Sequence, residues 1–489
     1  MSSIIVNENK LSFNSLEKEI YKKACEMACN ALSNILEDQD KKLANERDKS
    51  KYRHKGRRKT TLKTLMGEVS FVRNVYEHID VEGRKSFVYL LDQHLGFDTI
   101  GLISTNLAEK VVENASITSF RNAAKNISEL TGQSISHGGV WNVVQALGEK
   151  VKEAETNYVE SLERNQLHGE KEVAILFEEA DGVYINIQGK DRPRSGKKLE
   201  MKVSVAYEGW KELSKNRFEL VNKIAYAGFE NASMFYKKKE AMIAKEYKVD
   251  EIKMRILNGD GASWIKHGMD DTVHYQLDPF HKNKAILRNV SDKVQRKRIL
   301  KLLSENKIED VLVYIDVLAN SVEDERTAKK LRDLYSYFNE NKHGLIPYQE
   351  RNLDIPVPPE GLIYRNLGTM EHHICDIIAQ RMKHRKASWS INGAGNLAKL
   401  LAAKASRQLH DVIEKFSKIV LSEEKTIEII QTLSVAKTPK KDGKGKDGKG
   451  KDGNIQKGSI PFSNCSVTNG RKAIRNIFSM KGFGDLVYR

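Results

Sequence analysis

The chain has 489 residues, with 82 Lys and Arg against 66 Asp and Glu, a net charge of +16 and only 4 cysteines. Such length holds several cores, and the basic excess favours a polyanionic partner. No apolar run approaches the roughly 20 residues of a membrane helix, and the N-terminus shows no basic region followed by an apolar signal core. Cys25, Cys29, Cys375 and Cys465 are too few and scattered for a disulfide scaffold, and Cys25 and Cys29, four apart on an expected helix, have no second ligand pair nearby for a zinc site; a soluble, intracellular protein without a membrane partner is expected.

Residues 14–37 place Leu16, Ile20, Ala24, Met27, Ala31 and Ile35 on one stripe at helical spacing, an amphipathic packing helix. A very basic run, with Arg53, Arg57 and Arg58 as candidate phosphate contacts, precedes an expected β-hairpin turning at Met66–Gly67; together these fill a first region, 1–110. A solvated face is the plain alternative for such a run. In 111–165, Ser119 can cap one helix, Gly132 breaks it, and a second starts near Ser136. This is a helix-turn-helix pattern that places Ser136, His137 and Asn142 where side chains reach base edges or phosphates.

Strands dominate 166–281. Three β-rich runs, "EVAILFEEADGVYINIQ", "KKLEMKVSVAYEGW" and "RFELVNKIAYAGF", precede a helix, the strand "IKMRILNGDG", a short helix "ASWIKHGM" and the strand "TVHYQLD". The order βββαβαβ predicts a mixed sheet with helices packed against it, α/β in class. An all-helical insertion is expected at 282–360, further core at 361–430, a flexible basic linker carrying a Lys-Asp-Gly repeat at 431–458, and a tail at 459–489.

Acids interrupt this core. In βββαβ the first and fourth strands can be neighbours, bringing Asp181 and Asp260 to one sheet edge. Two carboxylates about 4 Å apart repel by about 4 kcal/mol at an effective dielectric near 20, so the pair calls for a proton or a cation. Hard divalent ions take such oxygens; two Mg²⁺ ions, or Mn²⁺ in their place, would clamp an in-line phosphoryl displacement. Glu371, at a helix after the insertion, is the candidate third acid. Alternatively, Asp181-Gly182 is a hairpin turn and Asp260 a cap for "ASWIK". Glu178 and Glu179 read as solvent-facing or structural. On the Glu371 helix, Arg381, Lys383 and Arg385 are candidate backbone contacts. Trp389 is a candidate for stacking on an unpaired base, with core packing the favoured reading. "NGAGN" at 392–396 follows no strand and is not a nucleotide loop, and no GxxxxGK[ST] is present.

The strand order resembles the ribonuclease H-like fold of DDE transposases and retroviral integrases. "ADGVYI", "NGDGASWI", "LDPFHKNKAI" and "MEHHICDIIAQRMKHRKASWSINGAGNLAKL" together resemble the ISLre-type insertion-sequence transposases, from the N-terminal helix to about residue 425. In that pattern Asp181, Asp260 and Glu371 match the metal-binding triad. Asp278 and His281 resemble an Asp-x-x-His unit of the Mutator and hAT transposases, where a helical block also precedes the final Glu. The resemblance implies Mg²⁺-dependent cleavage and strand transfer on double-stranded DNA, both element inverted repeats and target. It also implies a homodimer or larger assembly and a cytoplasmic, nucleoid-associated place in a bacterium. His281 reads as orienting a phosphate or buttressing the site rather than as a base, and Asp278 as supporting structure. The "KDGKG" repeat departs from the family core. Rival readings are a DNA-binding regulator without catalysis and a ribonuclease H-like structure-specific nuclease.

Overall fold

The computed structural model describes residues 12–80, 83–97, 102–132, 134–194, 196–384 and 387–415, which lie in one compact unit, Met1–Val420. The linker, the tail and Arg385 lie outside the described residues.

The first helix, α1 (Phe13–Glu46), is longer than its apolar stripe suggests and is anchored by its C-terminal half, where Leu36 is buried. It packs on a three-stranded antiparallel sheet, β1 (Tyr52–Lys63), β2 (Glu68–Ile79) and β3 (Lys85–Val88). β3 pairs only with the end of β2, from Tyr76 to Ile79. The N–H groups of Val72 and Asn74 go instead to Glu37 and Asp40 of α1, at 2.9 and 3.0 Å, closing an edge that would otherwise invite pairing. The hairpin turns where expected, between Thr64 and Gly67. The basic run is no loop before it but strand β1 itself. α2 (Leu90–Leu95) follows.

α3 (Thr105–Ile117) and α4 (Phe120–Thr131) lead to the long α5 (His137–Glu163). The punctuation is as the residue types dictate. Ser119 caps α4 through Asn122 N–H, Gly132 ends it at φ 68°, and Ser136 caps α5 through Gly139 N–H. Val140, Val143, Val144 and Leu147 of α5 share one apolar core with the central sheet and with Leu397, Ala398 and Leu401.

The central sheet has β4 (Ile175–Asn186), β5 (Lys198–Tyr207), β8 (Ile224–Gly228), β9 (Met254–Gly259) and β10 (Val273–Leu277) in the spatial order β10-β9-β4-β5-β8. β5 runs antiparallel to β4 and β8, whereas β9 and β10 run parallel to β4. The expected third run divides into Arg217–Leu220 (β7) and β8, and β7 forms a separate hairpin with Trp210–Ser214 (β6), which begins at the last residue of the second run. α6 (Ala232–Glu246) crosses from β8 to β9. The expected helix over "ASWIKHGM" is absent, and the segment is a series of turns. Two features suit turns better: Gly261 holds φ +97°, and Ile265, against Gly259, is buried with Leu257 and Ala180 beneath the sheet.

Four helices follow β10: α7 (Pro279–Asn289), α8 (Lys293–Ser304), α9 (Ile308–Ser321) and α10 (Glu325–Glu340). They bury Ile299, Val311, Ile315, Leu334 and Phe338 in a core of their own, the expected helical block. The chain then returns as α11 (Met370–His373), a π-helical stretch Ile374–Ala379, α12 (Gln380–Met382), α13 (Ile391–Ala405) and α14 (Leu409–Glu414). The glycines of "NGAGN" serve packing. A Cβ at Gly393 would lie 2.2 Å from the Trp141 ring, and one at Gly148 of α5 would lie 2.5 Å from Asn396.

Candidate active site

Parallel pairing sets the site. Ala180, Gly259 and Leu277 are register partners across β4, β9 and β10, and the residue after each is an acid: Asp181, Asp260 and Asp278. Because β-strand side chains alternate with period two, the residues two positions earlier, Glu179, Asn258 and Gln276, form a second polar row behind the acids. All three are buried, Glu179 and Asn258 at 0% exposure.

That second row ties the site together. Glu179 accepts from Tyr207 OH at 2.7 Å, from Asn258 Nδ2 at 2.9 Å, and from Gly368 N, Thr369 N and Thr369 Oγ1 at 3.1, 2.9 and 2.5 Å. Thr369 is the residue from which α11 starts, and Glu371 is its second residue. Asn258 also donates to Asp278 Oδ2 at 2.7 Å. Asp278 is the N-cap of α7, accepting from Phe280 and His281 N–H with Pro279 in the first turn. The expectation of a supporting role for Asp278 therefore takes a definite form: it aims the helix that carries His281.

His281 Nε2 lies 3.3 Å from Asp181 Oδ2. Ligand atoms of Asp181, His281 and Glu371 all lie within 4.8 Å of one another. Asp181 is buried and Glu371 is exposed at the mouth. Asp260, half-buried, is not part of that group; its Oδ1 accepts from Ala262 N–H at 2.8 Å, the turn-capping alternative realised without a helix. Burial raises the Asp260 carboxyl above its ordinary range, and the neighbouring Asp181 and Asp278 push the same way. The hydrogen bond to Asp181 raises the His281 imidazole, helped by the three surrounding acids. From the helical block, Tyr337 OH reaches back to the Asp260 carbonyl at 2.7 Å. The group holds two carboxylates and an imidazole within coordination reach, with a third carboxylate adjoining in register.

The other candidates divide. Arg53, Arg57 and Arg58 stand exposed along β1, and His137 and Asn142 are exposed on the first turns of α5, while Ser136 is occupied as its cap. Lys383 is exposed. One assignment needs correction, that of Arg381 to the DNA backbone, and the stacking alternative for Trp389 is not realised. Trp389 is 6% exposed, donates from Nε1 to the Met382 carbonyl at 2.9 Å, and meets Phe120 edge-on, the core packing expected of it. Arg381 is likewise committed, with Nε on the Ala115 carbonyl at 2.5 Å and its guanidinium over the Phe120 and Trp389 rings. Apolar rings at 120, 141 and 389 make this a packing site. Nor is Glu178 solvent-facing: on the opposite sheet face it pairs with Arg255 and Lys239, both at 2.6 Å.

Sequence reasoning did not name Glu179, Asn258, Tyr207 or Thr369 as site groups. Strand alternation offered a signal for the first two, since each stands two residues before a candidate acid.

Next to Glu371, His373 is buried and its imidazole is pushed down to about 3, chiefly by burial and then by Lys223 and His372. The unfolded chain takes that proton near pH 6.5 while the folded chain refuses it, so stability falls as pH drops from 6.5 towards 3. At pH 5 the cost is about 2 kcal/mol. Urea denaturation in EDTA at pH 7 and pH 5 should show this acid loss, and His373→Leu should remove it; an unchanged pH dependence in the variant contradicts the assignment.

Comparison with known proteins gives the following. A family model described as an uncharacterised protein family, UPF0236, matches residues 6–415. A UPF0236 protein of Caldanaerobacter subterraneus subsp. tengcongensis is 27% identical over 376 residues, covering 76% of this chain and 74% of that one. A second, of the same organism, is 26% identical over 399 residues, 80% of this chain and 78% of its own, and its name joins eleven locus designations. A UPF0236 protein of Streptococcus gallolyticus is 25% identical over 397 residues, 80% of this chain and 82% of its own. Among solved structures, the pre-cleavage Mos1 transpososome is matched at 11% identity over 49% of this chain and 78% of that chain, with a TM-score of 0.13, too low to carry an argument about fold or activity.

Proposed function

The chain belongs to the uncharacterised protein family UPF0236, and from that premise we propose that it is a DDE transposase, cutting and joining DNA at the ends of the element that encodes it. The observation that carries the reading is convergence: three distant stretches bring Asp181, His281 and Glu371 within 4.8 Å of one another, with Asp260 next to Asp181 in strand register. Three features support it. The sheet order, with one antiparallel neighbour and two parallel partners around β4, suits a ribonuclease H-like core. The net charge of +16 suits a nucleic-acid partner. A relative whose name joins eleven loci of one organism is what an element that multiplies within a genome would leave.

The donor set fits a hard divalent cation such as Mg²⁺: carboxylate oxygens crowd together, and burial, with the charges of Asp181 and Asp278 added, raises the Asp260 carboxyl in a way that a cation would offset. Asp181, Asp260 and Glu371 would hold it, Asp260 by releasing Ala262 N–H. When bound, such ions supply charge neutralisation and Lewis-acid polarisation at a phosphodiester. The chain's own contribution is position. Glu179 anchors Gly368 and Thr369 just ahead of Glu371, and Asn258 holds Asp278 at the head of the His281 helix, so little reorganisation of those elements remains at the moment of reaction. His281, held by Asp181 and by the cap at Asp278, would donate to a phosphate oxygen. Work on paired DNA ends would engage two or more copies of the chain.

DNA bearing the element ends plus flanks, incubated with the purified chain and Mg²⁺, tests the proposal. A transposase yields nicked ends and joined products, and Asp260→Asn binds the ends but does neither. Binding without cutting by the unaltered chain would favour a regulator, and cutting without joining a structure-specific nuclease. The exposed β1 arginines give a separate expectation. Changing Arg53, Arg57 and Arg58 together to Ala should weaken end binding and flatten its dependence on log salt concentration by about 2 to 3, at about 0.9 per lost phosphate contact. An unchanged salt slope would assign them to edge protection alone.

A further inference from the structure

Beside α11, with Thr369, His372 and His373 in its wall, lies a cavity of about 500 Å³ between the β7–β8 connection, Arg365 and the end of α13. That size is ordinary for a site holding a small organic molecule. Four cationic side chains line it, Lys171, Lys223, Arg365 and Arg407, against two carboxylates, Glu219 and Glu246. Both carboxylates are already used: Glu246 pairs with Lys171 at 3.1 Å and Glu219 pairs with Arg407. Lys223 and Arg365 remain without an ion pair among the described residues. Lys223 is partly withdrawn from water, and that burial lowers its ammonium below the ordinary range. Arg365 Cζ sits over the Phe218 ring, 3.5 Å from its centroid. The wall also contains the buried His373, whose Nε2 has no hydrogen-bond partner.

The backbone around the cavity is unusual as well. Five non-glycine residues among the described ones hold positive φ, and three of them line this space: Asn216 at 63°, Asn222 at 52° and Arg407 at 59°. Asn tolerates that region; Arg does so at a cost, and such outliers concentrate where a ligand is clamped.

We infer that this cavity binds a nucleoside monophosphate unit, with the phosphate on Lys223 and the base on the Arg365–Phe218 platform. An unpaired cation in a half-buried wall answers a phosphate. A guanidinium already seated over an aromatic ring presents a surface to a planar base. The ligand can be a free nucleotide or one nucleotide unstacked from a DNA strand. The inference holds whether or not the acids cut DNA, because it uses none of them.

The test is calorimetric titration of the full chain, in EDTA, with deoxyadenosine 5′-monophosphate, deoxyadenosine, inorganic phosphate, and an oligonucleotide duplex with or without a single-stranded overhang. Saturable binding of the monophosphate is expected, weakened about ten-fold by loss of either the phosphate or the base, and about ten-fold by Lys223→Met or by Arg365→Ala. Glu371→Gln should bind as the unaltered chain does. Competition between the monophosphate and the overhang duplex would identify a DNA strand as the source; binding of the free monophosphate alone would identify a soluble nucleotide. The inference is overturned if the unaltered chain shows no saturable monophosphate binding. It is equally overturned if phosphate alone binds as well, or if both variants bind normally with unchanged melting temperatures.

Discussion

Asp181→Asn should lower metal-dependent cleavage of the DNA ends on the order of 10³-fold or more, leaving end binding within about two-fold. The carboxylate sits in the middle of the cluster. It faces His281 at 3.3 Å, shares the 4.8 Å group with Glu371, and adds to the charge felt by Asp260. Asparagine keeps the size and one carbonyl oxygen but removes the charge that would hold a cation. The fold should survive, because Asp181 contributes no ion pair other than the one to His281 among the described residues, and removing one of three crowded acids relieves repulsion. Cleavage assays and a melting curve on the same preparation check both halves. Retained cleavage would remove Asp181 from the chemistry; a large fall in melting temperature would assign it to structure.

Glu179 should behave in the opposite way. Glu179→Ala leaves Tyr207 OH, Thr369 OH, the Asn258 amide and two backbone N–H groups facing a space with no acceptor. A buried donor left unpaired costs about 1–3 kcal/mol, and with partial relaxation the sum should be about 3–5 kcal/mol. Glu179→Gln keeps one carbonyl acceptor and should cost about 1–2 kcal/mol. At a temperature where the Gln variant is folded, cleavage should still fall while end binding holds, because the anchor of Gly368 and Thr369 loosens and Glu371 follows two residues later. Urea titrations and cleavage assays read the two effects separately. A Gln variant with full stability and full activity would show that the second polar row does not position the site.

Much of this arrangement is written in local patterns. The caps at Ser119, Ser136 and Asp278 follow from short-range hydrogen bonding. The helical block after β10 and the neighbourhood of Asp181 and Asp260 follow from element order, since a helix between β8 and β9 permits a parallel partner for β4. What was illegible depended on long-range packing. Core packing is the favoured sequence reading of Trp389, but nothing near it in sequence reveals Phe120 as its partner. Arg381 reads as a backbone contact because its partner carbonyl, Ala115, is 266 residues away. The "ASWIKHGM" segment has helical composition, but Gly261 at positive φ and Ile265 pinned against Gly259 bend it into turns. Charge also masked Glu179. An acid beside another acid reads equally as surface or as structure, and only the alternation of β4 and five donors from three other parts of the chain make it an interior group.

The most direct measurement is the anomalous scattering of Mn²⁺ in crystals of the full chain. The account predicts one or two peaks within coordination distance of Asp181 and Glu371, with the Asp260 carboxylate swung off Ala262 N–H to join them and no peak in Glu371→Gln crystals. Manganese absent from this edge of the sheet at saturating concentration, or bound without any of the three carboxylates, would contradict it.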